Sequence, residues 1–371
     1  VSGLKIFTIL VGMRFPVLMK LTFRHGISIL PKYLLRYLIL FHNSLISSAL
    51  TLAERYNYRK KIAETEISLP PVFIIGHWRS GTTYLHQLFH LDPGFTTPTM
   101  VQTVIPDHFL FSTKYYVPIL RRALPHTRPM DNVKMGVFEP QEEEFALIRM
   151  GSASPIERII FPRKGKFFLE GFENFIPRGK ILELWKKNLL EFYRKITLLT
   201  GKRIISKNPA HTMRISLLAE MFPGARFVHI VRDPMTVVPS AKRLWNIMWA
   251  ENGLKRGWKA PETGEVASML GSFLEYVSLE SRKLDDKQFS EVRFEDLEKD
   301  PMQELERIYS DLDLPLGNEF RANVMQFLKE NSDYRKNTYE LSEEEREIIR
   351  SALQNASVRD GYGRSDRNGP E

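Results

Sequence analysis

The chain has 371 residues, of which 43% are hydrophobic, 26% charged and 11% aromatic, a globular composition able to bury a large core without covalent staples. It contains no cysteine, which excludes disulfides, iron–sulfur clusters and thiolate chemistry and fits a reducing compartment. The net charge of +9 is concentrated in an N-terminal arm, where residues 1–65 carry ten basic residues (Lys5, Arg14, Lys20, Arg24, Lys32, Arg36, Arg55, Arg59, Lys60, Lys61) against Glu54 and Glu64. The remaining chain is nearly neutral, and neither an RNA-recognition motif nor a zinc-finger spacing is present, so no nucleic-acid partner is expected.

The longest charge-free stretch of the arm, Tyr37–Ala53, includes His42, Asn43, Ser44, Ser47, Ser48 and Thr51. A spanning helix needs about 20 predominantly apolar residues, and no signal-peptide pattern is visible. Basic residues alternating with Leu, Ile and Phe suit a helix lying on an anionic membrane surface. They equally suit a helical layer packed on the body with Lys and Arg facing water. The expected location is cytoplasmic, with peripheral attachment to a membrane as the variant the arm suggests.

Pro70-Pro71 closes the arm, giving an expected division into a basic, apolar helical extension (1–69) and a catalytic domain (70–371). Val72–Ile75 is a continuous apolar run, as a buried parallel strand should be. A helix over Thr82–Leu91 follows a glycine turn and stops at Asp92-Pro93-Gly94. Residues 95–135, rich in Pro, Thr and aromatics, read as loops with short helices. A helix begins near Glu142, and Lys180–Leu199 is a long amphipathic one. Arg203–Ser206 and Arg226–Val231 read as strands, His211–Phe222 as the helix between them, and Pro234 opens another helix at a position where its missing N–H costs nothing. Glu291–Phe294 is a further strand, and Pro301–Leu312 and Ser342–Leu353 are helices. Strands alternating with helices predict an α/β fold, a P-loop-like parallel sheet flanked by helices with a basic helical extension.

Gly76-His77-Trp78-Arg79-Ser80-Gly81-Thr82-Thr83 lies between the first strand and its helix. Two glycines five apart let the backbone curl, and its N–H groups with the helix N-terminus make an anion cradle. The spacing approaches the Gly-x₄-Gly-Lys-[Ser/Thr] loop of ATP-binding proteins, but Thr82 stands where the lysine should be and the cation is Arg79. Val72–His86 resembles the 5′-phosphosulfate loop of sulfotransferases that use 3′-phosphoadenosine 5′-phosphosulfate (PAPS), in the Arg-containing version of bacterial and carbohydrate-type members. The resemblance implies that Arg79, Ser80, Gly81, Thr82 and Thr83 surround the phosphosulfate.

Arg226–Ser240 places Arg232 at a strand end and Ser240 eight residues on. A guanidinium and a hydroxyl so placed hold a phosphate by charge-assisted hydrogen bonds, and the pair resembles the family's 3′-phosphate site. The bland alternative pairs Arg232 with Asp233 or a neighbouring carboxylate, while Asp233 caps the Pro234 helix. Lys207-Asn208-Pro209-Ala210-His211 resembles the Lys-x-Pro turn of bacterial members and adds Lys207 to the implied catalytic set. Val292–Leu297 resembles a structural Glu-Asp segment. Tyr334–Asn337 resembles the late basic loop, implying Arg335 and Lys336 against the nucleotide.

Sulfuryl transfer requires an activated acceptor and stabilised charge on the leaving phosphate, needs which positioned cations and backbone donors meet without a metal. PAPS is the implied co-substrate, and no metal-ligand spacing is present. The carboxylate that some members place after the loop is missing from Pro93–Gln102. The next cluster, Glu142-Glu143-Glu144, offers Glu142 and Glu144 as bases, or else a solvated first turn favoured by the helix dipole. His77, His86 and His211 are rivals. Phe109, Phe111, Tyr115, Tyr116, Trp245 and Trp249 line an acceptor pocket or fill the core. The acceptor is a hydroxyl or amine on a carbohydrate, lipid or small molecule. Competing functions are a P-loop nucleotide kinase or NTPase, and a non-catalytic nucleotide-binding protein of the membrane surface.

Overall fold

A computed structural model describes residues 8–27, 30–124, 135–169, 175–331 and 339–354. The chain forms two compact units, one comprising residues 1–69, 96–204 and 244–260, the other residues 70–95, 205–243 and 261–371.

The second unit is built on parallel strands. Strands β1 (Val72–Ile75), β2 (Phe95–Thr96), β3 (Arg203–Lys207), β4 (Arg226–Val231) and β5 (Phe289–Arg293) form a sheet of order β2-β3-β1-β4-β5. The pairings β3/β1, β1/β4 and β4/β5 are all parallel. Every residue of β1 is fully buried, which is why its sequence is a continuous apolar run. Val72 and Ile74 join Leu85, Leu88, Phe89, Val228 and Ile230 in the main core of this unit. On β1, Phe73 stacks on Phe227 at 5.5 Å and meets the edge of His211.

Several expected boundaries change. The stretch after β3 is not one helix but a 3₁₀ segment, Pro209–Arg214, followed by a short α-helix, Ile215–Met221. Asn208 starts it early by accepting the Ala210 N–H at 3.0 Å. The region read as loops instead holds a 15-residue helix, Phe109–Ala123. Strand β4 keeps its expected bounds, and β3, β5 and the helices Pro301–Asp311 and Glu343–Leu353 shift by only a residue or two, whereas the helices Thr263–Ser281 and Asn318–Glu330 were not anticipated.

In the first unit, the arm forms helices α1 (Phe15–His25) and α2 (Pro31–Glu64). The buried positions of α2 are Tyr33, Tyr37, Leu40, Ser44, Ser47, Thr51 and Glu54, spaced alternately by four and three, which is one stripe of a helix. Its second half is polar and tied to backbone elsewhere: Asn43 Oδ1 accepts the Gly12 N–H at 2.7 Å and Ser48 Oγ the Phe15 N–H at 2.8 Å. Glu54 accepts the Phe111 N–H at 3.1 Å and pairs with Lys195 at 2.5 Å, both side chains being 1% exposed. Lys195 also donates to the Pro106 carbonyl. Among the described residues no helix is long and apolar enough to cross a membrane.

Removing one partner of a buried ion pair strands the other charge. Glu54→Ala is therefore expected to cost about 3–5 kcal/mol in denaturant unfolding, whereas Leu52→Ala, on the exposed side of the same helix, should stay within about 0.5 kcal/mol.

Candidate anion-binding site

The site of the second unit begins where β1 ends. Gly76 has φ 145° and Gly81 φ 103°, conformations that favour glycine. A Cβ on Gly76 would lie 2.6 Å from the Ile230 carbonyl oxygen, and one on Gly81 would lie 2.3 Å from the Phe294 ring. Between them Arg79, a non-glycine, also takes a left-handed conformation at φ 75°. Thr212 clamps the start of the loop, its hydroxyl accepting the Gly76 N–H at 2.8 Å and donating to the Gly76 carbonyl. Ser80 Oγ donates back to the His77 carbonyl at 2.8 Å, which closes the turn.

The loop delivers the chain into helix α3 (Thr82–His90), whose N-cap, Gly81, supplies no side-chain cap. A helix N-terminus carries partial positive charge and free N–H donors, an arrangement that favours an anion. Thr82 and Thr83 open this helix, and Lys207, from the end of β3, points its Nζ at Thr83 Oγ1 at 3.4 Å.

From the end of β4 comes the second cluster. Arg79 Nε donates to Ser240 Oγ at 2.8 Å, and Arg232 reaches the Arg79 carbonyl at 3.4 Å. The Arg232 guanidinium lies over the Phe294 ring, 4.1 Å from its centroid, a cation–π contact. Burial lowers its pKa while Glu295 and Glu298 oppose the shift. Glu295 meanwhile accepts the Asp233 N–H, and Asp233 caps the following helix through the Met235 N–H. Arg79, Arg232, Lys207 and Ser240 thus gather at the carboxyl ends of β1, β3 and β4, where the chain crosses to either side of β1, the position at which open α/β sheets bind ligands.

A matching sequence model, described as the sulfotransferase family, covers residues 70–318. The chain belongs to the sulfotransferase family. Two mycobacterial relatives, from Mycobacterium bovis and Mycobacterium tuberculosis, are each named omega-hydroxy-beta-dihydromenaquinone-9 sulfotransferase Stf3; both are 35% identical over 330 residues, covering 88% of this chain and 84% of theirs. Among solved structures, sulfotransferase STF1 of M. tuberculosis H37Rv matches with a TM-score of 0.61 at 19% identity, covering 91% of this chain and 90% of that one. Sulfotransferase STF9 of Mycobacterium avium matches at 0.64 and 17%, covering 93% and 96%. At that identity the two structures share the fold, in agreement with the α/β expectation.

In this sulfotransferase the remaining candidates fall in several places. Glu142 is half-buried, while Glu143 and Glu144 are buried in the first unit, with the Tyr193 hydroxyl at 3.5 Å from Glu143. They are therefore not the solvated first turn that three adjacent carboxylates suggest. All three histidines are buried. Desolvation lowers the His77 pKa to about 4 and holds His86 well below its usual value, with Lys207 adding to the latter shift. Both imidazoles are neutral at physiological pH. His211 Nδ1 sits 3.2 Å from Arg214. Phe109 and Trp245 fill the core, whereas Tyr115 is exposed. Arg335 and Lys336 lie outside the described residues. Among those residues no group of three or more His, Cys, Asp or Glu could hold a metal ion.

Three contributors escaped sequence reasoning: Thr212, Phe294 and Tyr339, whose hydroxyl donates to Ser240 Oγ at 3.2 Å. Phe294 alone carried a signal, through its segment's resemblance to a structural element.

The loop geometry separates two substitutions. Gly81→Ala drives a methyl into Phe294 and a left-handed backbone, so it should destabilise by about 1–3 kcal/mol. Arg79→Gly relieves a left-handed arginine, so its unfolding free energy should stay within about 1 kcal/mol of wild type while sulfotransferase turnover is lost. Denaturant melts beside activity assays check both.

Proposed function

We propose that the chain transfers the sulfuryl group of PAPS to a hydroxyl on an apolar, lipid-type acceptor. The observation that supports the donor is the hydrogen bond between Arg79 and Ser240, which joins the anion loop to the Arg232 cluster and so offers one nucleotide two anionic subsites. On this reading the α3 N-terminus, Ser80, Gly81, Thr82, Thr83 and Arg79 take the 5′-phosphosulfate, and Arg232 and Ser240 take the 3′-phosphate. Arg335 and Lys336 extend the nucleotide contacts by resemblance. The lipid acceptor is supported by the 35% identity to enzymes named for a hydroxylated menaquinone derivative.

In the reaction the acceptor oxygen attacks sulfur, the bond from sulfur to the 5′-phosphate oxygen breaks, and negative charge passes to the departing phosphate. Arg79 and Lys207 stabilise that charge from preorganised positions, without reorganisation of solvent. The acceptor proton goes to a carboxylate, for which Glu142 and Glu144 are the candidates, since burial keeps His77 and His86 weak bases.

Binding and chemistry should separate. Arg232→Ala removes bonds made equally in ground and transition states. Charged hydrogen bonds of about 1.5–3 kcal/mol correspond to roughly a 10–150-fold loss in PAPS affinity, read by calorimetry. Arg79→Ala should instead lower kcat at saturating PAPS; unchanged turnover would remove it from the mechanism. Whichever of Glu142→Gln and Glu144→Gln replaces the base should lose about 10²–10⁴ in kcat with donor affinity intact. Consumption of ATP in place of PAPS would overturn the assignment of the donor.

A further inference from the structure

Helix α2 carries its amphipathicity the wrong way out. In its second half the buried positions are Ser44, Ser47, Thr51 and Glu54. Leu34, Leu38, Phe41, Leu45, Leu52 and Tyr56 face outward, with Leu38 59% and Leu52 68% exposed. At 100° per residue these six fall within one narrow arc, a row about 33 Å long at 1.5 Å per residue. Between Tyr33 and Glu54 the only formal charges are Arg36 and Glu54. Both leave the outer face: Arg36 donates to the Gly253 carbonyl at 2.8 Å, and Glu54 is held by Lys195.

A packed helix normally turns such leucines inward. Here the inward side is polar and engaged through Asn43, Ser48, Thr51 and the Glu54–Lys195 ion pair, so packing within the unit gives no reason for an apolar outer face. Contiguous exposed apolar surface of this extent marks an interaction site. Helix α1 and the Phe109–Ala123 helix, both packed on α2, add exposed Phe23, Tyr115 and Ile119.

We infer that the outer face of α2 is a membrane-docking surface, lying in the interface of an anionic bilayer. Charge selects this occupant. The row is bracketed by exposed cations, Lys20 on α1 and Arg55, Arg59, Lys60 and Lys61 at the far end of α2, while Arg24 is engaged by Glu157. A second copy on the same face would bring together two arms that each carry +8 within residues 1–65, whereas anionic headgroups complement them. An apolar face flanked by basic residues, on a helix too polar overall to span, is the pattern of a helix embedded at headgroup depth. The face goes beyond the reaction, and it places the protein at the phase in which the proposed lipid acceptor would be dissolved.

Flotation of the full chain with phosphatidylcholine vesicles, and with vesicles of equimolar phosphatidylcholine and phosphatidylglycerol, tests the surface. The anionic vesicles should carry the protein, and high salt should weaken but not abolish binding, because leucine insertion is not screened. The Leu38→Glu/Leu45→Glu double variant should bind those vesicles at least tenfold more weakly at either salt, while its thermal midpoint and its affinity for adenosine 3′,5′-bisphosphate stay unchanged. Absence of wild-type flotation, or equal flotation of the variant, overturns the proposal. So does a variant that alters only the mass measured by light scattering, since the face would then join two copies. Turnover of a detergent-solubilised ω-hydroxy polyisoprenoid separates this surface from the acceptor reading. Turnover without flotation defeats only the surface, and flotation without turnover defeats only the acceptor.

Discussion

The backbone of residues 76–81 must pass through left-handed conformations within a space closed from two sides, by the Ile230 carbonyl and by the Phe294 ring. Everything else about the site follows from that constraint. The turn brings β1 into α3 with the helix N-terminus facing outward, and it sets Arg79 where its guanidinium meets Ser240. Phe294 serves both clusters, since it is the floor beneath Gly81 and the ring under Arg232. A left-handed arginine between two glycines is a local cost, tolerated where the side chain has work to do at the sheet edge.

Cations at the site are held by unlike means. Arg79 is placed by backbone torsion, Arg232 by an aromatic face and Lys207 by the end of a buried strand. Glu295, which favours the charged state of Arg232, also accepts the Asp233 N–H, so it supports that cation while fixing the start of the next helix. The result is positive potential assembled before any ligand arrives, the condition under which electrostatic stabilisation of a leaving phosphate is most effective.

Sequence alone made the loop legible because glycine at 76 and 81 is dictated by backbone geometry, which spacing reports directly. The parallel sheet was legible for a similar reason: Val72–Ile75 has no polar residue because both its faces are covered. The partners were hidden where they depend on contacts distant in the chain. Thr212 meets Gly76 from 136 residues away, and nothing around it marks that hydroxyl. The cluster Glu142–Glu144 left a base and a solvated turn equally open, since burial of a carboxylate is decided by tertiary surroundings. The helix Pro31–Glu64 was ambiguous because its polar side is the packed one; Glu54 looks solvent-facing until Lys195 is placed beside it. The packed-layer reading of the arm holds for one side of the helix, and the other side is exposed.

The central claim is that the loop and the Arg232 cluster form a single nucleotide site with two anionic ends. A crystal structure with adenosine 3′,5′-bisphosphate tests this most directly. The 5′-phosphate should sit on the N–H groups at the start of α3, with the 3′-phosphate about 3 Å from Arg232 and Ser240. A bound nucleotide whose 3′-phosphate lies away from both residues would contradict the account.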